Sequence, residues 1–355
     1  MANLLITGAA GFLGSHLAEF IKSKDNTKNF NDWDVTLLDI APFDMNEYGG
    51  WKFIFSDTDV RDRKNLEQII KKQDFIIHCA AALPLWKPKD IFSTNVDGTT
   101  NVLEFAHQYN LKKVIHISST AVYGVPKVHP IDEDAPLVGV GAYGESKVQA
   151  EMICKQFIQK GLNLTVLRPK SFIGTRRLGV FEILFDWIHD GKKIPIIGNG
   201  KNQYQLLDVC DLTDLIFLVL NSDKKNLNDF FNVGTLNFET VEKDLCGLFD
   251  YAESGSKLFR TPALPTKLSL KVFEKLKLSP LYQWIYDTAD KDSYVSIEKI
   301  MNITDWKPKY SNKDTLIRSY QWYLDNYENI KSRGEGLTHT VGWKQGILKL
   351  AKKFM

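Results

Sequence analysis

The chain is short of several things, and each shortage excludes a class of function. Its 45 lysines and arginines nearly match its 43 aspartates and glutamates, leaving a net charge of +2 over 355 residues. That balance gives no basic field for nucleic acid. No window approaches the roughly 20 successive apolar residues of a membrane span. The N-terminus enters an apolar segment at once, without the basic, apolar and small-residue succession of a secretory leader, so a cytoplasmic protein is expected. The cysteines Cys79, Cys154, Cys210 and Cys246 lie far apart with no Cys-x-x-Cys pair, and read as reduced core thiols. No cluster has metal-ligand spacing, no internal repeat or low-complexity tract occurs, and no metal is expected. What is present is an ordinary 44% hydrophobic content, enough for a full core in one large domain or two.

The most informative stretch is Leu4-Leu5-Ile6-Thr7-Gly8-Ala9-Ala10-Gly11-Phe12-Leu13-Gly14. An apolar run reads as a buried strand. It breaks at Gly8 and passes through a glycine-spaced turn into the helical pattern Leu13, Leu17, Phe20, Ile21. Glycines let a backbone approach phosphates, and the helix N-terminus offers unpaired N–H groups and a positive dipole end, which together suit a dinucleotide pyrophosphate. The spacing is G-x-x-G-x-x-G. The plain alternative is that Gly8, Gly11 and Gly14 serve only the sterics of a tight turn.

Strands and helices then alternate. Strands are expected at Asp34–Asp39, Trp51–Phe55, Phe75–Cys79, Val114–Ser118 and Leu164–Leu167, and helices near Leu66–Ile70 and over Ile91–Tyr109 and Tyr143–Gln159. Repeated βα units imply an α/β, Rossmann-type, doubly wound parallel sheet with right-handed crossovers. After Arg168-Pro169 the rhythm changes. Helices are expected at Phe181–His189 and Asp211–Leu220, a short strand at Ile194–Ile197, and a strand returning to the sheet at Phe230–Val233. The rest reads as mostly helical, with breaks at Pro262–Pro265 and Pro280. The expected organisation is a nucleotide-binding domain over 1–170 with a return segment near 205–235. A smaller, mostly helical C-terminal substrate lobe takes 171–204 and 236–330, and a basic amphipathic tail takes 331–355.

Asp39 ends the second strand, where a carboxylate can take both ribose hydroxyls of an adenosine and would repel a 2′-phosphate. It therefore favours NAD over NADP, although a strand-end Asp also serves as a cap or turn residue. Asp59-Val60 would flank the adenine, or Asp59 would cap a helix. His78-Cys79-Ala80-Ala81 closes the fourth strand, where small Ala80 and Ala81 let the backbone pass close to a flat ring. His78 itself reads as a satisfied structural histidine. Ser118-Ser119-Thr120-Ala121-Val122-Tyr123-Gly124 follows the fifth strand, and Tyr143-Gly144-Glu145-Ser146-Lys147 opens the next helix. Tyr143 and Lys147 share one helical face. A free phenol has a pKa near 10, too high for a base at neutral pH. An adjacent ammonium and a cationic nicotinamide ring favour phenolate. Ser119 can then bond a substrate oxygen while Tyr143 takes its proton as hydride leaves. The alternative is a solvated helix face.

These motifs together resemble the extended short-chain dehydrogenase/reductases, the NAD-dependent epimerase/dehydratase group. The matching residues are Thr7–Gly14, Asp39, Asp59-Val60, His78–Ala81, Asn95-Val96-Asp97-Gly98-Thr99, Ser118–Gly124, Tyr143–Lys147 and Arg168-Pro169. Echoes follow at Gly198-Asn199-Gly200, Asp208-Val209-Cys210-Asp211, Phe231-Asn232-Val233-Gly234 and Ile303–Tyr310. The resemblance implies a catalytic triad of Ser119, Tyr143 and Lys147 and an NAD site. That site would comprise Gly8, Gly11, Phe12, Leu13, Gly14, Asp39, Asp59, Val60, Ala80, Ala81, Asn95, Tyr143, Lys147 and Pro169, with Asn95 supporting the cofactor loop.

The departures matter too. Sugar-nucleotide 4,6-dehydratases of this group carry Asp-Glu directly after the catalytic Ser or Thr. Thr120-Ala121 stands there instead, which speaks against dehydration. Ser171 replaces the Asn common two residues after Arg-Pro, and Asn202-Gln203-Tyr204-Gln205 lacks the usual Arg. Arg176 and Arg177, with Lys170 nearby, are left to meet a substrate diphosphate, unless they are merely solvated. The expected substrate contacts are Ser119, Ser171, Arg176, Arg177 and Tyr204.

At the C-terminus Trp343, Ile347, Leu350, Ala351 and Phe354 form an apolar stripe, with Lys344, Lys349, Lys352 and Lys353 off it. Such a helix over 343–355 can lie on an anionic membrane or dock on the protein itself. The basic, apolar segment Leu268–Leu278 leans towards the membrane. Three functions stay open: a nucleotide-sugar epimerase or related oxidoreductase; a 3β-hydroxysteroid dehydrogenase-like oxidation of a lipid or steroid alcohol at a membrane surface; and a non-enzymatic NAD-binding regulator, against which the intact triad speaks. The resemblance also implies a homodimer through the helix carrying Tyr143, with Val148, Met152, Ile153 and Phe157 as its apolar face.

Overall fold

The computed structural model describes residues 2–23, 30, 32–84, 86–276, 281, 283–332, 335–336, 342–343, 348, 352 and 355. The first half runs β1 (Ala2–Thr7), α1 (Phe12–Lys22), β2 (Trp33–Asp39), α2 (Met45–Tyr48), β3 (Ile54–Asp57), α3 (Arg63–Ile70), β4 (Phe75–His78) and α4 (Pro88–Phe92). After a π-helical turn (Ser93–Gly98) come α5 (Thr99–Gln108), β5 (Lys113–Ile117), α6 (Gly141–Gln159) and β6 (Leu164–Pro169). The second half adds β7 (Phe172–Ile173), α7 (Phe181–His189), β8 (Ile194–Ile197), β9 (Leu207–Asp208), α8 (Val209–Leu220), β10 (Phe230–Val233), α9 (Val241–Ala252) and β11 (Leu258–Thr261). It ends with α10 (Ala263–Lys275), α11 (Gln283–Thr288), α12 (Glu298–Thr304), α13 (Asn312–Asp325), α14 (Tyr327–Ser332) and the strand pair β12 (Glu335–Gly336) and β13 (Gly342–Trp343).

Seven strands form one parallel sheet in the order β10-β6-β5-β4-β1-β2-β3. Helices on both faces bury its central strands, which are mostly apolar instead of alternating with polar residues, while the edge strand β3 is largely exposed. Strand periodicity then sorts side chains by face. Leu4 and Ile6 join one core cluster with Leu13, Leu17 and Ile21 of α1, while Leu5 joins the other with Val102, Leu103 and Ala106 of α5. A third cluster, around Phe185, Trp187, Tyr320 and Tyr323, belongs to the C-terminal region.

The doubly wound sheet is as expected, and Phe230–Val233 does return to it beside β6. Several local expectations need correction. The strand expected at Trp51–Phe55 lies at Ile54–Asp57, because Thr36–Asp39 fixes the register of this edge strand while Phe53 turns into the core. The helix expected over Ile91–Tyr109 carries the π-turn. Pro262 is the N-cap of α10 and Pro265 sits inside its first turn, where a missing N–H costs nothing. Leu258–Thr261 was not expected as a strand; it pairs in parallel with Ile194–Ile197 away from the main sheet. Cys246 is exposed, so it is no core thiol, and all four cysteines are free.

Most of the expected tail stripe (Ile347, Leu350, Ala351, Phe354) and Lys344, Lys349 and Lys353 lie outside the described residues, as does Pro280. Trp343 lies in a strand and not in the expected helix. Leu348 and Met355 pack on the third core cluster, and Lys352 bonds Asp186 and Asp190 at the end of α7. These three residues contact the protein's own C-terminal region. Among the described residues no helix is long and apolar enough to cross a membrane.

Candidate active site

The C-terminal ends of the parallel strands open into a cleft of about 1070 Å³, closed on its far side by segments of the C-terminal region. It lies where strand order reverses, between β1 and β4, the place a doubly wound sheet leaves open for a ligand. Its size exceeds the roughly 300–1,000 Å³ of a single small-ligand pocket, so two ligands fit side by side.

One half is built on the glycine loop. Gly8 has φ +67°, and a Cβ there would meet Ala80 N at 2.6 Å. A Cβ on Gly14 would meet Ala9 Cα at 2.4 Å and Gly8 O at 2.5 Å. These two glycines therefore do serve sterics: they let β4 and α1 close onto the loop. Gly11 differs. It caps α1 with no side chain and lines the cleft with Phe12 and Leu13, leaving the start of the helix open to an anion. Asp39 combines both readings offered for it. Its Oδ2 accepts from Ala10 N at 2.9 Å and its Oδ1 from Ala41 N at 2.9 Å, tying β2 to the loop, and the carboxylate still borders the cleft. Each carboxylate oxygen has a second lone pair, so two acceptor positions stay available for ribose hydroxyls.

Asp59 is not a helix cap; Asp62 caps α3. Asp59 is clamped by Arg61, with Oδ2 at 2.6 Å from Nη2, which holds its carboxyl below the usual range. It lines the cleft beside Val60 with its charge already matched, which weakens its assignment to an adenine amino group. Ala80, Ala81 and Pro169 line the cleft as expected. Asn95, inside the π-turn, accepts from Ala82 N at 2.7 Å and donates to Ser146 Oγ at 3.0 Å, so it pins the loop after β4 to α6. His78 is satisfied on both sides, by Thr7 Oγ1 at 2.7 Å and Thr99 Oγ1 at 3.1 Å, and burial pushes it down to about 3, a neutral structural histidine.

At the centre stand Ser119, Tyr143 and Lys147. Ser119 accepts from Ala121 N at 3.1 Å, and its hydroxyl favours the ionised form of the Tyr143 phenol. Lys147 donates to Ile117 O at 2.9 Å, and its Nζ lies 6.0 Å from the centre of the Tyr143 ring. In the protein alone Lys147 does not draw Tyr143 towards phenolate. Burial pushes the phenol up to about 12, opposed only by Ser119, and burial pushes Lys147 down to about 8. Burial disfavours the charged form of both groups, yet at about 8 Lys147 keeps its charge at neutral pH while Tyr143 stays a neutral phenol.

The other half departs further from expectation. Ser171 and Tyr204 line it, their hydroxyls 3.4 Å apart. Arg176 does not: it has φ +75° and pairs with Glu19 of α1 at 2.9 Å. Arg177 is buried and reaches the cofactor half, bonding Ala10 O and, at 2.7 Å, Glu47. Both arginines brace α1 and its loop, because β7 runs directly past the N-terminal end of that helix and Phe172 stacks on Phe12 at 5.6 Å. Lys170, by contrast, is buried at the cleft.

Sequence reasoning missed three residues. Thr7 orients His78 and accepts from Ala80 N at 3.3 Å. Glu151 binds Arg168 by two oxygens (2.9 and 2.7 Å) and takes Ser118 Oγ at 2.6 Å. Tyr48 donates to Ala9 O at 2.6 Å. For Glu151 a signal existed, since Tyr143, Lys147 and Glu151 recur every four residues on one face of α6.

The comparisons with known proteins agree with this geometry. A family model for the NAD dependent epimerase/dehydratase family matches residues 4–234. The chain is 30% identical over 352 residues to an uncharacterized protein, y4nG, of Sinorhizobium fredii, covering 98% of this chain and 84% of that one. It is 28% identical to a putative UDP-glucose 4-epimerase of Methanocaldococcus jannaschii, covering 91% of this chain and 99% of the relative. In fold it is similar to the UDP-glucuronic acid 4-epimerase of Bacillus cereus solved with UDP-glucuronic acid and NAD. There the TM-score is 0.74 at 20% identity, over 92% of this chain and all (100%) of that one.

Proposed function

The chain belongs to the NAD-dependent epimerase/dehydratase family, a family of enzymes, and from that premise we propose that it acts on a secondary alcohol of a nucleotide sugar, as an epimerase. The observation that carries the reading is the placing of Ser119, Tyr143 and Lys147 between the two halves of one cleft, at the end of β5 and the start of α6. The residues fit NAD: Gly11 leaves a helix start open to a pyrophosphate, and Asp39 keeps acceptors for a ribose. Val60, Ala80, Ala81, Lys147 and Pro169 would complete that side. When bound, NAD supplies the hydride acceptor and a cationic ring whose charge favours phenolate.

The chain's own residues do the rest. Ser119 holds the substrate oxygen, Tyr143 takes its proton, and Lys147, fixed by Ile117 O, provides positive charge beneath them. After Ser119 the 3₁₀ turn Thr120–Tyr123 buries Thr120 and Ala121. Neither residue offers the carboxylate that elimination needs, which supports epimerisation over dehydration. The test is incubation with NAD and UDP-glucose or UDP-glucuronic acid, following sugar configuration and NADH together. An epimerase returns its hydride, so the C4 epimer forms without net NADH; steady accumulation of NADH without an epimer refutes the reading. The same preparation should bind NAD more tightly than NADP, since Asp39 repels a 2′-phosphate.

One observation favours the second reading, a lipid alcohol. On α10, Leu264, Leu268, Val272 and Leu276 are exposed at four-residue intervals, near the cleft residue Glu274. Turnover of a steroid alcohol with stoichiometric NADH would carry it. For assembly we keep a homodimer, but on a reduced face: Phe157 is buried, Val148 and Ile153 pack on the core, and Met152 remains exposed. A monomeric mass by light scattering at micromolar concentration refutes it.

A further inference from the structure

Lys170 follows β6 directly, and its N–H donates to Val233 O at 2.8 Å, so its backbone is fixed by the sheet. Its side chain is 2% exposed. The ammonium donates to Ser293 Oγ at 2.7 Å and lies 4.8 Å over the Tyr204 ring. Among the described residues no carboxylate pairs with it. Of the other buried cations, Arg168 has Glu151, Arg177 has Glu47 and Lys113 has the carbonyls of Val219 and Ser222, while Lys147 has the carbonyl of Ile117 alone.

An ammonium has three donors and Ser293 takes one. The two others are left in a wall of the cleft that also presents the hydroxyls of Ser171 and Tyr204. Desolvation without a counter-charge is costly, and a bound anion removes that cost. Lys170 follows Pro169, the last residue placed on the cofactor side, and its ammonium reaches Ser293 and Tyr204 of the lobe side instead.

We propose that Lys170, with the hydroxyls of Ser171 and Tyr204, binds an oxyanion of the substrate at the lobe side of the cleft. The oxyanion is either a carboxylate on the substrate's sugar or a phosphoryl oxygen of its nucleotide. The proposal deepens the nucleotide-sugar reading and rests on it for the identity of the anion's carrier. Burial that drives the amine towards its neutral form, to about 7, accords with a site completed by its ligand. An arriving anion would restore the proton.

The experiment is calorimetric titration of the NAD-loaded wild type and of Lys170→Met with UDP, UDP-glucose and UDP-glucuronic acid. If the oxyanion is a sugar carboxylate, the wild type binds UDP-glucuronic acid about tenfold or more tightly than UDP-glucose, and Lys170→Met removes that preference alone. If it is a phosphoryl oxygen, Lys170→Met weakens all three ligands about equally, by a similar factor. Unchanged affinities for all three, whether or not the variant loses stability, overturn the proposal and leave Lys170 a structural prop. Should the wild type bind no uridine nucleotide, the nucleotide-sugar reading fails by itself. The oxyanion site is then decided by labelling Lys170 with acetic anhydride at neutral pH. Protection by millimolar glucuronate or inorganic phosphate supports it, and no protection overturns it.

Discussion

The two walls of the cleft are held by different means. The sheet wall is made of consecutive strand ends, and its charged groups are held within it: Arg168 by Glu151, Asp59 by Arg61, Asp39 by two backbone N–H groups and Lys147 by the carbonyl of Ile117. The lobe wall is assembled from distant segments, such as Tyr204, Asp244, Ile285 and Asn312. Where the walls meet, Lys170 stands two residues beyond Arg168 with a neutral hydroxyl as its partner. A wall whose groups satisfy one another is a scaffold that binds its ligand by shape and backbone. A wall with an unmatched group at its edge is one that waits for the ligand to complete it. The proposed function accordingly puts the cofactor on the first wall and substrate choice on the second.

The largest effect expected comes from the centre. Tyr143→Phe removes one hydroxyl at the cleft and no packing, so fold and NAD affinity should persist while turnover falls. A positioned general base is worth about 10²–10⁴-fold, and Tyr143 also touches the substrate oxygen, so the upper part of that range is expected. Stopped-time product assays beside NAD titration check it. Retention of more than about a tenth of the rate, against the 10²-fold minimum of that range, would break the triad and bring the non-enzymatic or alternative-base reading forward.

Next in size is the contrast between the two cations after β6. Arg168→Met leaves Glu151, 1% exposed, with a hydrogen bond from Ser118 and no ion pair, only the Coulombic influence of Lys147. Breaking one side of a buried pair costs about 3–5 kcal/mol. Urea midpoints should show this loss for Arg168→Met and none for Lys170→Met. Equal losses in both would mean that Lys170 is as structural as Arg168, and the difference between the walls would disappear.

The same contrast explains what the sequence could tell. Apolar runs separated by glycine turns are local signals, so β1, β4, β5 and the glycine loop were legible, and with them Gly11, Asp39, Ser119, Tyr143 and Lys147. The lobe offered no such signals. Arg176 and Arg177 look like diphosphate ligands by position along the chain. Their actual partners are Glu19, Ala10 and Glu47, between 130 and 167 residues away for those of Arg177. Long-range pairing of that kind has no periodicity to read. Protonation was equally hidden. The proximity of Tyr143 and Lys147 follows from helical spacing, but the burial that moves both groups away from their charged forms depends on the whole fold.

The smallest effect expected is the pH dependence of that Lys170→Met comparison. Burial holds the folded-state pKa of Lys170 at about 7, below the 10.5 of a lysine in the unfolded chain. Between those values the unfolded chain binds one proton more than the folded one, so this group makes the wild type more stable as pH rises. Its destabilising contribution is complete below about pH 7 and fades as pH climbs towards 10.5. Lys170→Met has no such group. Its stability advantage over the wild type should be greatest near pH 6 and should shrink steadily up to pH 9, read from paired urea midpoints in the absence of nucleotide. Saturating substrate should reverse the order, because the bound anion gives the wild type what the methionine variant cannot use. A difference that stays flat with pH would mean that the amine has its ordinary affinity for protons, and that some counter-charge already reaches Lys170 from the lobe wall.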